Sequence, residues 1–287
     1  MTIRNPVEWS ADLLAGTARA INAAGHDIYR EDLETGGRLP MIRRIELADL
    51  GVALRRGLDD FAACRTDVIF LCLVYPLIGL VLARIAMDSG LLPLIFPLAS
   101  GFALIGPLAG LGLYEMSRQR EGGAEVSWLG AFGVLRAPGL TGIILLGLVL
   151  VAIFFGWQYA AQTIYAATLG PMPPASLAAF LHDVFNTRAG LLMSVAGLGV
   201  GFVFAVAVLS ISVVSFPMML DRHVRMDIAI ATSVRVVAAN PLAMAVWGVI
   251  VAGGLVLGSL PFFAGLIVVL PVLGHATWHL YRRVVAR

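Results

Sequence analysis

Residues 189–220, between Arg188 and Asp221, read AGLLMSVAGLGVGFVFAVAVLSISVVSFPMML. These 32 residues carry no charge. About 20 apolar residues are enough to cross the hydrocarbon of a bilayer as a helix. The pattern recurs along the chain. Asp88 and Glu115 bracket 26 uncharged residues, Arg136 and Asp183 bracket 46, and Arg235 and Arg282 bracket another 46. The 287-residue chain is 59% hydrophobic and 13% charged, about half the charged share of a soluble domain. These counts exclude an ordinary soluble enzyme, a disordered chain and a disulfide-rich secreted domain. They predict an all-α polytopic membrane protein.

Six spans follow, over residues 68–83, 91–113, 140–159, 190–216, 242–257 and 262–278. Gly258, Ser259, Leu260 and Pro261 divide the last uncharged stretch into two helices, since Gly and Pro punctuate. Of the 20 basic residues all are Arg, and 18 fall on one side of these spans; Arg84 and Arg188 fall on the other. Positive residues mark the cytoplasmic side, which predicts that both termini are cytoplasmic. An Arg-only chain suits a phospholipid surface, because guanidinium pairs with phosphate as a planar fork; codon usage in a genome rich in G and C is the simpler explanation. The first 65 residues carry no apolar h-region, so no cleavable signal peptide is expected. Cys64 and Cys72 are spaced for neither a redox pair nor a zinc site and are expected to be reduced.

The arginine-rich segments have an order of their own. Leu47, Leu50, Leu54, Leu58 and Phe61 recur at helical spacing before the first span. Ser127 is placed to cap a helix bearing Trp128, Phe132 and Leu135, and Asp227 one bearing Ile230, Val234 and Val237. Each reads as a short amphipathic helix lying at the interface. Arg55, Arg136 and Arg235 hold similar places in these helices, and Arg118, Arg222 and Arg282 close the even-numbered spans. All six are expected to face lipid headgroups or a partner. The chain thus divides into an amphipathic segment, 1–39, with a helix over 6–28, and a transmembrane domain, 40–287. A threefold repeat of three hairpins, 42–122, 123–225 and 226–287, fits this order; positive-inside loops alone would produce it too. On the far side, residues 171–174 break the chain before another amphipathic helix carrying Leu177, Phe180, Leu181, Val184 and Phe185.

Few residues carry chemistry. His275 and His279 stand four apart, so they share a helix face. With Glu115 as a third ligand they are the candidate metal site, although His and Trp also anchor helices in the headgroup zone. Glu115 is also placed to pair with Arg118, three residues on, and that local salt bridge is the expected pairing. The middles of the spans contain no ionisable group, which disfavours a proton pump. Gln158, Gln162, Ser210, Ser212 and Ser215 are the main polar groups there and are expected to join helices. Gly197–Gly201, Gly106–Gly110 and Gly254–Gly258 have the GxxxG spacing of close helix contact. No HExxH, Ser-His-Asp arrangement, Walker loop or carboxylate pair is legible, so no catalytic residue and no cofactor is expected. The basic segments lack a nucleic-acid motif and suit anionic lipid headgroups.

Several stretches resemble a bacterial integral-membrane family, domain of unknown function 2189. They are Ile42-Arg43-Arg44-Ile45, Leu54-Arg55-Arg56-Gly57, Tyr75-Pro76-Leu77, Gly106-Pro107 with Gly112-Leu113-Tyr114-Glu115, Ser215-Phe216-Pro217, and residues 273–282. Some members carry a label as similar to cytochrome c oxidase subunit I; this chain lacks the His ligands for such haems and copper. The resemblance implies architecture and a bacterial inner-membrane location, and brings no activity. The resulting expectation is a non-enzymatic accessory, assembly or scaffold component of an inner-membrane complex, with a respiratory complex as one candidate. The alternatives are a transporter or channel for a small neutral or hydrophobic solute, and metal or haem binding at the end of the sixth span.

Overall fold

The structure is a computed structural model. It describes residues 39–64, 95–124, 126–261 and 263–286, with the single positions 73, 77, 80, 81, 84 and 93. The expected helix over 6–28, Cys72 and nearly all of the first span lie outside the described residues. The described elements are helical throughout. In chain order they are α1 (Leu47–Ala63), α2 (Ile95–Ala109), α3 (Leu111–Glu121), a 3-10 helix (Trp128–Arg136), α4 (Leu140–Thr168), α5 (Leu177–Asn186), α6 (Arg188–Ser212), α7 (Ser215–Asp221), α8 (Met226–Ala239), α9 (Pro241–Ser259) and α10 (Leu266–Val284).

Four helical stretches among the described residues are long and apolar enough to cross a membrane: Phe96–Glu121, Leu140–Thr168, Arg188–Asp221 and Pro241–Ser259. They correspond to the second to fifth expected spans, and the first three run well past the expected ends. The sixth expected span differs in character. Helix α10 covers it, but its second half carries His275, His279, Arg282 and Arg283 and buries polar groups against other helices.

The short helices form, with faces other than expected. In α1 the buried row is Leu50, Ala53, Gly57 and Asp60, while Leu47 and Leu58 stay half exposed. Gly57 lets α1 lie against α10: a Cβ there would stand 2.7 Å from the Ala276 nitrogen and the Val272 oxygen. The second expected helix is a 3-10 helix, and the Ser127 side chain makes no cap bond. At three residues per turn, Leu129, Phe132 and Leu135 fall in line, and all three are exposed. In α8 the buried face is Ala229, Thr232, Ser233 and Val236, not Ile230, Val234 and Val237. Its small residues admit close packing, and Ser233 Oγ accepts the Val214 N–H at 3.3 Å. Asp227 pairs with Arg225 at 2.9 Å instead of capping by its side chain. Helix α5 forms as expected, capped by Ser176, which accepts the Ala179 N–H at 3.1 Å.

The long helices are joined mostly by packing. Trp157 of α4 is buried, donates to the Pro97 oxygen at 3.0 Å and stacks at a tilt on Phe204 of α6. Gly139 lies so close to Met219 that a Cβ would meet its carbonyl oxygen at 2.6 Å; here its N–H donates to that oxygen at 3.0 Å. Among the described residues, Ser212 and Ser215 do not bond between spans. Ser212 and Ser215 donate to the carbonyls of Val208 and Ile211 within their own turn, the usual back-bond of serine in a helix. The Gln158 amide is buried, and neither its nitrogen nor its oxygen has a partner among the described residues. Of the GxxxG pairs, Gly254 and Gly258 pack against Val269 and Leu266 at the α9–α10 contact, whereas Gly106 and Gly197 face open space.

Candidate functional site

Helix α10 gathers the polar groups of the arginine-rich end. Its N-terminal half is apolar. From Gly274 on, each turn carries a donor: His275, Trp278, His279, Tyr281, Arg282 and Arg283. Three other segments supply the acceptors.

The most enclosed part is a four-residue cluster. Asp60 (α1), Ser117 (α3), His275 and His279 are each less than a tenth exposed. Ser117 Oγ donates to Asp60 Oδ2 at 2.6 Å. His279 Nε2 meets the same oxygen at 2.8 Å. Arg120 binds the other carboxylate oxygen, Oδ1. Ser117 Oγ also lies 2.8 Å from His275 Nδ1. A hydroxyl has one proton, and an ionised carboxylate only accepts. Because that proton goes to Asp60, His275 must donate through Nδ1 to the serine oxygen. Its Nε2 is then an unprotonated acceptor, without a partner among the described residues.

Burial pushes the Asp60 carboxyl up. Hydrogen bonds from His279 and Ser117, the His279 charge and the Arg120 hydrogen bond outweigh that and hold it at about 2, below its ordinary 3.8. Asp60 is therefore a carboxylate at any ordinary pH. It draws α1, α3 and α10 together through one side chain.

A serine, a histidine and an aspartate thus meet, although no such arrangement is legible in the sequence. Their order is not that of a nucleophile relay. There the histidine accepts the serine proton and the aspartate orients the histidine. Here the aspartate takes the serine proton directly, and Ser117 Oγ is enclosed. The chemistry this geometry suits is a clasp: buried donors satisfied by one charged acceptor.

A second group extends the clasp. Trp278 Nε1 donates to Glu121 at 3.0 Å, and Arg282 binds Glu121 at 2.9 Å and Asp221 at 3.2 Å. The Tyr281 hydroxyl donates to Asp221 at 2.7 Å; burial, with the Asp221 charge, pushes that phenol above its ordinary range. Arg283 binds Asp49. The backbone adds a third tie. Arg43 donates to the Val284 carbonyl, Ala286 donates to Met41, and Asn240 accepts the Ile45 N–H at 2.8 Å.

Glu115 does not join the two histidines. Arg118 binds its carboxylate through two nitrogens at 2.7 Å each, and Gln119 adds a third bond. The local pair with Arg118 takes both oxygens and turns them toward the 3-10 helix, beside Gly133. One nitrogen of each histidine is engaged, His279 Nε2 by Asp60 and His275 Nδ1 by Ser117. Among the described residues no three His, Cys, Asp or Glu side chains are grouped for a metal.

The six arginines expected at the surface divide in two. Arg55, Arg136 and Arg235 are exposed. Arg118, Arg222 and Arg282 turn inward: Arg118 to Glu115, Arg222 to Asp221 at 3.6 Å and the Ala286 carbonyl at 2.7 Å, and Arg282 to Glu121 and Asp221. At those three, protein oxygens engage the guanidinium groups. Asp60, Ser117 and Arg120 were not singled out from sequence, because each stands in a charged or polar run that reads as a solvated face.

Residues 95–221 match the family DUF2189, described as a predicted integral membrane protein. The match takes in α2 to α7, with Ser117, Glu121 and Asp221, and stops short of α1 and α10, which bring Asp60, His275 and His279. No curated protein and no solved structure matches the chain. With that match and four long apolar helices among the described residues, the chain is an integral membrane protein.

Proposed function

We propose that this chain is a non-enzymatic scaffold, an accessory or assembly component of a complex in the bacterial inner membrane. In this reading six spans form three hairpins, and the arginine-rich end with both termini faces the cytoplasm. One observation carries it: the polar groups best suited to chemistry are spent on fastening helices to one another, while the flanks of the long helices are left open. On α6, Leu191, Val195, Leu198 and Phe202 are all more than half exposed along one side. Such a surface suits acyl chains or the helices of other subunits, and cytoplasmic anchoring through Arg55, Arg136 and Arg235 suits anionic headgroups.

Crosslinking in intact membranes, then purification in several mild detergents and mass spectrometry, tests this reading. Recovery of stoichiometric membrane partners is the expected result. Recovery of this chain alone, with and without crosslinker, would count decisively against a scaffold.

A second reading, passage of a small neutral solute, draws on Gln158. A buried amide with neither donor nor acceptor engaged is costly, and a polar solute or water would relieve it. Reconstituted vesicles that are no more permeable to glycerol or urea than protein-free vesicles would end that reading.

A further inference from the structure

The clasp leaves a concavity beside it, where residues 43–45, α1 and the last turns of α10 meet. Its volume is about 320 Å³, and its wall carries Arg43, Arg44, Arg56, Arg282 and Arg283 against one carboxylate, Asp49. The two α10 arginines are balanced by Asp49, Glu121 and Asp221. Arg43, Arg44 and Arg56 are exposed and have no ion-pair partner among the described residues. Arg283 binds Asp49 through one terminal nitrogen, and its Nε has no acceptor.

This wall is held in place. The chain before α1 is tied on both sides: Arg43 N–H bonds the Val284 carbonyl, and Asn240 accepts from Ile45 and donates to the Arg43 carbonyl. Gly57 seats α1, and with it Arg56, against α10. Three uncompensated guanidinium groups held around one concavity repel one another. A polyvalent anion offsets that repulsion. Guanidinium forks match the oxygens of phosphate in pairs, and the volume lies within the range of small-ligand pockets, roughly 300–1,000 Å³.

We propose that this pocket binds a phosphate-bearing anion, with Arg43, Arg44 and Arg56 as its primary contacts and Arg283 Nε as a further donor. The phosphate comes either from the headgroup of an anionic phospholipid or from a soluble phosphate compound. The proposal stands whether or not the chain belongs to a larger complex.

The test uses the full chain purified in dodecyl maltoside, titrated calorimetrically with dihexanoyl phosphatidylglycerol, dihexanoyl phosphatidylcholine and inorganic pyrophosphate. Saturable binding of phosphatidylglycerol or pyrophosphate, but not of the zwitterionic lipid, is expected. The double substitution Arg44→Gln/Arg56→Gln is expected to weaken it at least about tenfold, since charged hydrogen bonds are lost at two exposed positions. The double substitution Arg188→Gln/Arg225→Gln removes the same charge at positions with no part in headgroup binding and is expected to leave binding within about twofold. A preference for the lipid assigns the site to a headgroup, and a preference for pyrophosphate assigns it to a soluble phosphate. No saturable binding of either, or equal losses in the two variants, overturns the proposal.

Discussion

Helix α10 buries ten of its 19 residues, among them His275, His279 and Tyr281, against carboxylates from three other segments. Helix α6 buries three of its 25: Gly190, Val208 and Ser212. The first helix meets its neighbours through charged hydrogen bonds with defined partners. The second meets them through apolar side chains, and most of its surface meets none. Apolar burial does not drive association between helices in lipid, where acyl chains are as good a neighbour as leucine. Specific assembly of this chain then has to come from the polar end. The comparison predicts that substitutions around α10 cost much and matched substitutions on α6 cost little.

The largest effect is expected at Asp60. Asp60→Ala leaves Ser117, His279 and Arg120 without their shared acceptor, and breaking a buried charged pair costs about 3–5 kcal/mol. Ser212→Ala on α6 removes only a back-bond within one helix and is expected to cost under about 1 kcal/mol. Thermal unfolding of the detergent-solubilised variants compares them. If Asp60→Ala unfolds no earlier than Ser212→Ala, the clasp does not hold the helices.

Glycine gives the next contrast. Gly57→Leu drives a side chain into the α10 backbone, and overpacking costs typically 1–3 kcal/mol; with backbone as the neighbour we expect the upper end. At Gly197 a Cβ meets nothing within 4 Å, so Gly197→Leu is expected to leave the monomer's midpoint unchanged or slightly raised, through higher helix propensity. Hydrogen exchange across residues 47–63 should accelerate in the first variant only.

Acid should find the same weak point. Asp60 holds its proton less tightly in the folded chain, at about 2, than its ordinary 3.8. A depressed carboxyl contributes stability that is complete above 3.8 and is lost as pH falls toward 2. The shift corresponds to about 2 kcal/mol. Midpoints measured from pH 5 to 2 should fall in the wild type, and the fall should shrink by that amount in Asp60→Asn. An equal fall in both would place the acid sensitivity elsewhere.

The two regions were also unequally legible in the sequence. Charge-free length alone located α4, α6 and α9, because crossing hydrocarbon is a property of one segment. The clasp depends on which helices meet. Asp60 lies 57 residues from Ser117 and 219 from His279, and periodicity within one helix carries no record of such a pairing. His275 and His279 were visible as a pair because both stand on one helix. Their partners were not, since Asp59-Asp60 and Ser117-Arg118 read as solvated charge. Leu47 and Leu58 misplaced the α1 face for a related reason: the helix buries its smallest residues, Ala53 and Gly57, where it comes closest to α10. Glu115 was drawn toward the histidines by its depth along the chain, and Arg118 one turn away held it instead.

A smaller effect tests the backbone tie between these regions. Asn240 stands at the start of α9 and bonds Ile45 and Arg43 at the start of α1. Asn240→Ala leaves the Ile45 N–H without its acceptor, at a cost of about 1–3 kcal/mol, less if water reaches it. Faster exchange at Ile45 with the α9 amides unchanged is expected. Loss of protection throughout α9 would instead make Asn240 part of the long-helix packing.

The smallest effect belongs to the 3-10 helix, which stands between the two regions in chemistry as well as position. Its backbone side is held by Gln119, whose amide reaches the Gly130 carbonyl at 3.0 Å. Its other side presents Leu129, Phe132 and Leu135, each more than half exposed. If that ridge meets only lipid or a partner, Leu129→Gln with Leu135→Gln removes no packing within the chain and should shift the detergent midpoint by no more than about 0.5 kcal/mol. The same pair should change what surrounds the protein: two polar side chains at an interface lose the favourable transfer of two large apolar ones. Quenching, by lipids brominated near the headgroup, of a fluorophore attached through Arg136→Cys is then expected to weaken while stability holds. A midpoint that falls by more than about 1 kcal/mol would place the ridge against another part of this chain and join the 3-10 helix to the clasp.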